Sequence, residues 1–327
     1  MIDQAFLLEN SNLKVVILAY GATINSIIDK RLQRELVLGF DEKKDYEHSD
    51  KYFGCTIGRV ANRISYGRFH LNQKEVQLPI NNAPHHLHGG YIGFDRREFT
   101  CKMTGNTLEC TYFSPDSEEG YPGNLQVTIT YILQDDRLII KSRCLCDQDT
   151  LVNITNHTYF NLDADKKSIT SHCLKMSADR VYPVDEFGCT FNQPFDVLNT
   201  PFDFTVSKPI FECLDSNHPQ ILTAKGLDHH FEVSGEELRQ AACLSVEDCT
   251  LGVYTDKPGV HVYTGNYLNG DDIGFDHVPY QKQSGICFET QYVPNSVNFD
   301  TTIAPIVKAG KIQEHLTVFE FQQMSKR

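Results

Sequence analysis

The sequence predicts an all-β protein built as a sandwich or barrel of many short antiparallel strands. Three observations carry that prediction. Apolar and polar residues alternate with period two along much of the chain, turn signals interrupt the alternation at short intervals, and no long stretch sustains a helical period.

The elements follow in order. A first alternating run covers Leu13–Leu18. Leu125, Val127, Ile129, Tyr131 and Leu133 then alternate with Gln126, Thr128 and Thr130. After the turn at Asp135 and Asp136, Leu138 and Ile140 open a second run through Cys146, so the two read as a hairpin. Shorter runs recur at Val152–Leu162, Val260–Leu268, Gly285–Val293 and Leu316–Phe321. Between them fall turn signals: Tyr-Pro-Gly-Asn at 121–124, Lys-Pro-Gly at 257–259 and Asn-Gly-Asp-Asp at 269–272. Glu236–Ala242 reads as one short helix. No linker, low-complexity stretch or fixed-period repeat divides the chain, and residues 1–327 are expected to form a single domain.

Composition narrows the function classes. The chain is 40% hydrophobic and 22% charged, the balance of a packed globular protein. Its 30 Lys and Arg against 43 Asp and Glu leave a net charge of −13, which argues against general binding to nucleic acid or anionic membrane. The first ten residues hold Asp3 and Glu9 and no basic cluster, and the apolar run Val15–Ala19 is too short to span a bilayer. A cytoplasmic location is expected. The cysteine count, 11, is odd and includes no C-x-x-C pair, so reduced and mostly buried thiols are expected rather than a disulfide framework. Asn153 and Asn156 match the glycosylation pattern and are expected to be unmodified. No dinucleotide-binding, phosphate-loop, zinc-protease or nucleophile-elbow motif occurs.

Two strands draw attention chemically. In VNITNHTYFNL, residues 152–162, one face carries Asn153, Thr155, His157, Tyr159 and Asn161. That face is polar yet uncharged, a composition suited to reading hydroxyl groups, although His157 alone is compatible with an ordinary strand histidine. In GICFETQYV, residues 285–293, Cys287, Glu289 and Gln291 share a face. A mid-strand carboxylate between apolar neighbours is either salt-bridged or held for proton transfer. Arg59 and Arg63 sit in a Gly-punctuated segment. His85, His86 and His88 invite a metal reading with His229 and His230, but their spacing matches no metal motif. Glu118 and Glu119 read as a solvated loop before a turn.

Seven segments in order, GRVANRI, HLHGG, EEGYPGNL, NITNHTYFNL, LDHHF, PGVHVYTGNYL and CFETQYVPNSVN, resemble the signature segments of the galactose mutarotase-like aldose 1-epimerases. They run from about residue 54 to 298, and YGATINSI near the start also fits. The resemblance implies a large antiparallel β-sandwich with a sugar cleft on one face. It implies Glu289 as general base and His157 as general acid. It also implies Asn62 and Arg63 as sugar contacts, His88 near the ring oxygen, and Asp228 on the ring hydroxyls. Two positions depart from the family pattern. His261 stands where Gln is usual, at a position expected to face the sugar, and Asp116-Ser117 replaces Asp-Gly before the E-E-G-Y-P-G turn.

The reaction implied is the interconversion of α and β anomers of a free aldohexose such as glucose or galactose, through ring opening by paired acid and base. A small monosaccharide is the expected partner, and no cofactor or metal is expected. Two other readings of the same fold remain: a glycoside hydrolase using Glu289 with Asp228, and a sugar-binding protein without catalysis.

Overall fold

The structure, a computed structural model, describes residues 4–191 and 193–324. Its strand ladders are antiparallel and, among the described residues, form two large sheets, a four-stranded one and four two-stranded pairs. The nine-stranded sheet runs, edge to edge, through Thr100–Thr104, Thr107–Ser114, Leu125–Gln134, Arg137–Cys146, Ile312–Gln323, Cys249–Thr255, Arg239–Ser245, Cys173–Met176 and Lys208–Pro209. The six-stranded sheet runs through Tyr159–Phe160, Ile286–Gln291, Gly259–Tyr263, Asp228–Glu232, Arg180–Val181 and Phe195–Asp196. A four-stranded sheet is formed by Ala5–Glu9, Leu13–Leu18, Thr23–Asp29 and Arg34–Glu35. The architecture is the antiparallel sandwich expected. No helix among the described residues is long and apolar enough to cross a membrane.

The period-two pattern explains the layering. Leu125, Val127, Ile129, Tyr131 and Leu133 are all buried on one face, and their partners Leu138 and Ile140 continue that face across the hairpin, which turns between Gln134 and Arg137. The apolar face of the six-stranded sheet, carrying Phe231, Val260, Val262, Ile286 and Phe288, joins the same core cluster as Leu251, Val253 and Phe319 of the nine-stranded sheet. Phe160 meets Phe319 edge-on across the interface, with centroids 4.8 Å apart. Each fully buried aliphatic or aromatic side chain there is worth about 1.5–3 kcal/mol. With one face committed to this core, the other face of the six-stranded sheet is free to carry polar chemistry.

Three local expectations are corrected. Glu236–Ala242 is not a helix; Arg239–Ser245 is a strand between Cys173–Met176 and Cys249–Thr255, bulged at Gln240/Ala242. The Arg239 guanidinium donates to the carbonyls of Thr255 and Lys257 at 2.7 and 2.6 Å, and pairing on both sides overrides the helix preference of the two alanines. The run Val152–Leu162 is not one continuous strand. It breaks into a bridge from Asn153 to Val60 and the short strands Thr155–Asn156 and Tyr159–Phe160, each paired with a different segment, and both of its faces are buried. Glu118 and Glu119 are not merely solvated. Glu118 pairs with Arg97 at 2.8 Å and accepts from Tyr112, while Glu119 accepts the backbone N–H groups of Tyr91 and Ile92. Ser117, beside them, holds a left-handed φ of 67°, a conformation Gly enters without strain.

The eleven cysteines are free thiols, most of them buried. Asn153 and Asn156 are buried too, which closes both glycosylation patterns to a modifying enzyme.

Candidate active site

The polar face of the six-stranded sheet is a grid set by register. Tyr159 pairs with Cys287, Cys287 with Tyr263, and Tyr263 with Asp228, giving one row across four strands. The neighbouring row is Glu289, His261 and His230. Alternation along Ile286–Gln291 puts Glu289 on this face while Phe288 and Thr290 point away from it. The grid floors a cleft of about 380 Å³ whose lining includes Asn62, Arg63, His88, His157, Asp228 and Glu289.

His157 and Glu289 meet in the depth of the cleft. Nε2 of His157 lies 3.7 Å from Oε1 of Glu289, and the second carboxylate oxygen, Oε2, is buried without a protein partner. The backbone of His157 is clamped by its N–H to the carbonyl of Cys55 at 2.9 Å and by its carbonyl to the N–H of Gly54 at 3.0 Å. Its Nδ1 is 3.6 Å from the Cys287 thiol. Burial pushes Glu289 well above the usual carboxyl range, and the negative charge of Asp228 adds to the effect. Burial also lowers His157 to about 4. Both shifts have the same cause, burial that disfavours the charged form of each group.

The second wall is a strained turn. Asn62 and His88 both have left-handed φ, 65° and 51°. They bond reciprocally: the Asn62 N–H donates to Nδ1 of His88 at 3.1 Å, and the His88 N–H donates to the Asn62 carbonyl at 3.1 Å. Gly89 follows at φ 90°, where a Cβ would lie 1.8 Å from the Gly58 carbonyl oxygen. The H-G-G spacing is therefore a steric demand. Because Nδ1 of His88 accepts a backbone N–H, a neutral His88 carries its proton on Nε2. Burial, with His157 adding to it, keeps the ring neutral by holding its pKa well below the ordinary value. His88 is thus a hydrogen-bond donor to whatever fills the cleft.

That tautomer also bears on metal binding. Ligand atoms of His88, His157 and Glu289 lie within 4.8 Å of one another, as do those of His85, Asp185 and Cys189. Metal-bound histidines usually donate their other ring N–H to an acceptor. His88 does the opposite, and so does His85, whose Nδ1 accepts the Tyr66 N–H at 3.1 Å. Neither cluster suits a cation. Of the remaining histidines singled out, His86 is structural, bonded to Tyr121 and the Pro79 carbonyl. His229 and His230 fall on opposite faces of their strand, with His229 packed edge-on to Phe202 in the core.

Arg63 reaches the cleft wall, donating to the Gly188 carbonyl and to Oδ1 of Asn82, each at 3.2 Å. Arg59 does not take part: it is buried, donating to the carbonyls of Ser114, Pro115, Pro122 and Gly123, and so pins the turn before Leu125. His261, expected to face the sugar, is placed differently. It is 1% exposed and lies behind Asp228, with Nε2 2.7 Å from Oδ1 of that residue. His261 shares its row and sheet face with Glu289, which does line the cleft; what sets His261 apart is that its ring is taken up by the Asp228 carboxylate.

The residue reading missed the aromatic part of the cleft. Tyr52 packs against both His88 and His157, with centroids 4.7 and 5.8 Å away. Tyr263 lines the floor and Phe187 the rim. Tyr263 was findable, because it shares the strand face of His261. Tyr52 and Phe187 lie in irregular loops, where no periodicity marks them.

A buried imidazole–carboxylate pair, flanked by neutral donors and aromatic rings on one face of an antiparallel sandwich, is an arrangement able to move protons on a polyhydroxylated substrate. The Aldose 1-epimerase family pattern matches residues 4–320. The chain is 39% identical to galactose mutarotase from Bos taurus over 97% of its own length and 94% of that protein. It is 36% identical to aldose 1-epimerase from Haemophilus influenzae, covering 98% and 96% of the two chains. The crystal structure of galactose 1-epimerase from Lactobacillus acidophilus superposes with a TM-score of 0.88 at 31% identity, covering 98% of this chain and 94% of that one. This protein belongs to the aldose 1-epimerase family and is an enzyme of that class.

Proposed function

We propose that this enzyme interconverts the α and β anomers of a free aldohexose, galactose or glucose, with Glu289 as base and His157 as acid. One observation carries the assignment of roles: the nearest ionisable partner of the Glu289 carboxylate is an imidazole, His157, at 3.7 Å. Glu289 takes the proton of the C1 hydroxyl while His157 gives one to the ring oxygen. The C1–O5 bond breaks, and the electron pair of the C1 oxygen forms the aldehyde carbonyl. Rotation about C1–C2 presents the other face of the carbonyl. The ring oxygen attacks it, returns its proton to His157, and the new C1 oxygen recovers a proton from Glu289. Protons and electrons balance, with nothing supplied from outside.

The remaining groups hold the ring. Nε2–H of His88 and the guanidinium of Arg63 offset charge that develops on sugar oxygens, and Asp228 and Asn62 bind ring hydroxyls. Tyr52 and Tyr263 supply apolar walls that exclude water. The glycoside-hydrolase reading needs Glu289 to work with Asp228. These two lie in different rows and two strands apart, with His157 beside Glu289 instead. The enzyme is further proposed to act as a single 1–327 unit in the cytoplasm, which limited proteolysis and cell fractionation check.

Polarimetry tests the assignment. Purified protein should speed the approach of freshly dissolved α-D-galactose or α-D-glucose to equilibrium rotation, and should release no reducing sugar from a glycoside. Release of sugar without mutarotation would overturn it.

A further inference from the structure

The imidazole of His261 and the carboxylate of Asp228 meet beside the cleft, 2.7 Å between Nε2 and Oδ1, with His261 almost fully buried. We infer that His261 is a positioning residue for the epimerisation: it holds Asp228 as an aimed, charged acceptor for the ring hydroxyls. This inference deepens the proposed function, because it rests on Asp228 binding the sugar.

The geometry supports the role in three ways. First, His261 has no face on the cleft, so it acts on substrate only through Asp228. Second, a carboxylate oxygen facing Nε2 requires a proton on that nitrogen, and Nδ1 is buried without a protein partner, so the ring's one side-chain bond goes to Asp228. Third, Asp228 lies in a setting that otherwise resists its charge. Burial pushes its carboxyl up, and the bond and charge of His261 outweigh that and bring it below the ordinary range. Without the donor, burial acts on the Asp228 carboxyl with less to oppose it, and its affinity for a proton rises.

Several titratable groups face this pair, among them His157 and His88 on the cleft walls and Tyr263 on the floor. On the strand Ile286–Gln291, Glu289 pairs directly with His261; on Asp228–Glu232, His230 does. His229 donates no side-chain bond to Asp228; its Nδ1 accepts the Asp228 N–H at 3.1 Å. From across the cleft the charge of Arg63 favours the ionised Asp228. Asp228 in turn raises the proton affinity of Glu289. His261 therefore lies between the sugar-binding carboxylate, Asp228, and the proposed base, Glu289.

The test is substitution with kinetics across pH 5.5 to 8. His261→Leu removes the donor at similar volume. The expected result is a KM higher by about 10- to 100-fold, the worth of one hydrogen bond to a charged group, with kcat changed much less. The rise in KM should steepen toward acid pH. His261→Gln restores an N–H to the same oxygen and should return KM to within a few-fold of wild type at every pH. A wild-type KM in His261→Leu across that range would overturn the inference, as would equal impairment in Leu and Gln variants. Should His261→Leu not fold, ¹⁵N NMR of the wild-type histidines decides: a proton on Nε2 supports the assignment, and the opposite tautomer overturns it. Asp228→Ala separates the two levels. If it leaves KM unchanged, the proposed sugar contact itself is wrong. If it raises KM while His261→Leu does not, only the positioning role fails.

Discussion

Nε2 of His157 stands 3.7 Å from Oε1 of Glu289, both side chains almost wholly withdrawn from solvent. The gap exceeds a hydrogen bond but leaves the two groups on one side of the cleft, each able to reach a different oxygen of the same anomeric centre. Proton transfer between them then passes through the sugar. That relationship motivates the first predictions.

Glu289→Gln keeps the shape of the carboxylate and removes its basicity. The kcat of that variant should fall by about 10²–10⁴-fold with KM little changed, and His157→Asn should behave the same way. Steady-state polarimetry with both variants checks this. A kcat near wild type for Glu289→Gln excludes it as the base.

As the proposed base and acid, Glu289 and His157 set the two pH limits of the reaction. The working form holds one proton. Burial raises Glu289 well above 4.5 and lowers His157 to about 4, so the two limits move apart. On the acid side, activity should persist until the pair takes up a second proton near pH 4. On the alkaline side it should be lost as the pair gives up its one proton, well above the ordinary carboxyl range. A kcat/KM profile with circular dichroism at each pH tests this. An acid limb near pH 6.5 in folded enzyme would show a histidine titrating as if in water.

Activity should be unaffected by EDTA, and added zinc should not enhance it. The physical ground is the Asn62 N–H on Nδ1 of His88, which commits that ring to a donor role at Nε2. Loss of activity on chelation, restored by a metal, would refute this assignment.

Lys257 is 4% exposed, and its ammonium donates to the carbonyls of Ile154 and Thr290, one on the segment of His157 and the other next to Glu289. Burial lowers its pKa from 10.5 to about 8. Between those values the unfolded chain binds more protons than the folded one, so this group makes stability rise with pH. Lys257→Met removes that term. Relative to the variant, wild type should gain about 3 kcal/mol of unfolding free energy between pH 7.5 and 10.5. Urea titrations of both proteins at the two pH values measure it; a constant difference would mean that Lys257 is not desolvated.

Gly89→Ala forces a Cβ against the Gly58 carbonyl at a backbone φ that alanine disfavours. The turn must move, and His88 moves with it. The variant should lose about 1–3 kcal/mol of stability and a larger share of activity than its stability loss explains. Thermal denaturation and kcat/KM on the same preparation separate the two.

Local alternation was enough to reveal the β class, the hairpin about Asp135 and Asp136, the side of the strand that bears Glu289, and the shared face of His261 and Tyr263. These follow from the pleat, which sends successive side chains to opposite faces whatever lies beyond. The candidate roles of Asn62, Arg63, His88 and Asp228 were legible only through motif resemblance, since nothing in their own neighbourhoods marks them. Tertiary structure alone decided the rest. It made a strand of Arg239–Ser245, broke the 152–162 run into three pairings, and turned Glu118 and Glu119 into anchors. It also set His261 behind Asp228 instead of against the sugar. The reason is register: which residue sits beside which across a sheet depends on partners far away in the chain, and pairing across strands is what brings the His261 imidazole to the Asp228 carboxylate.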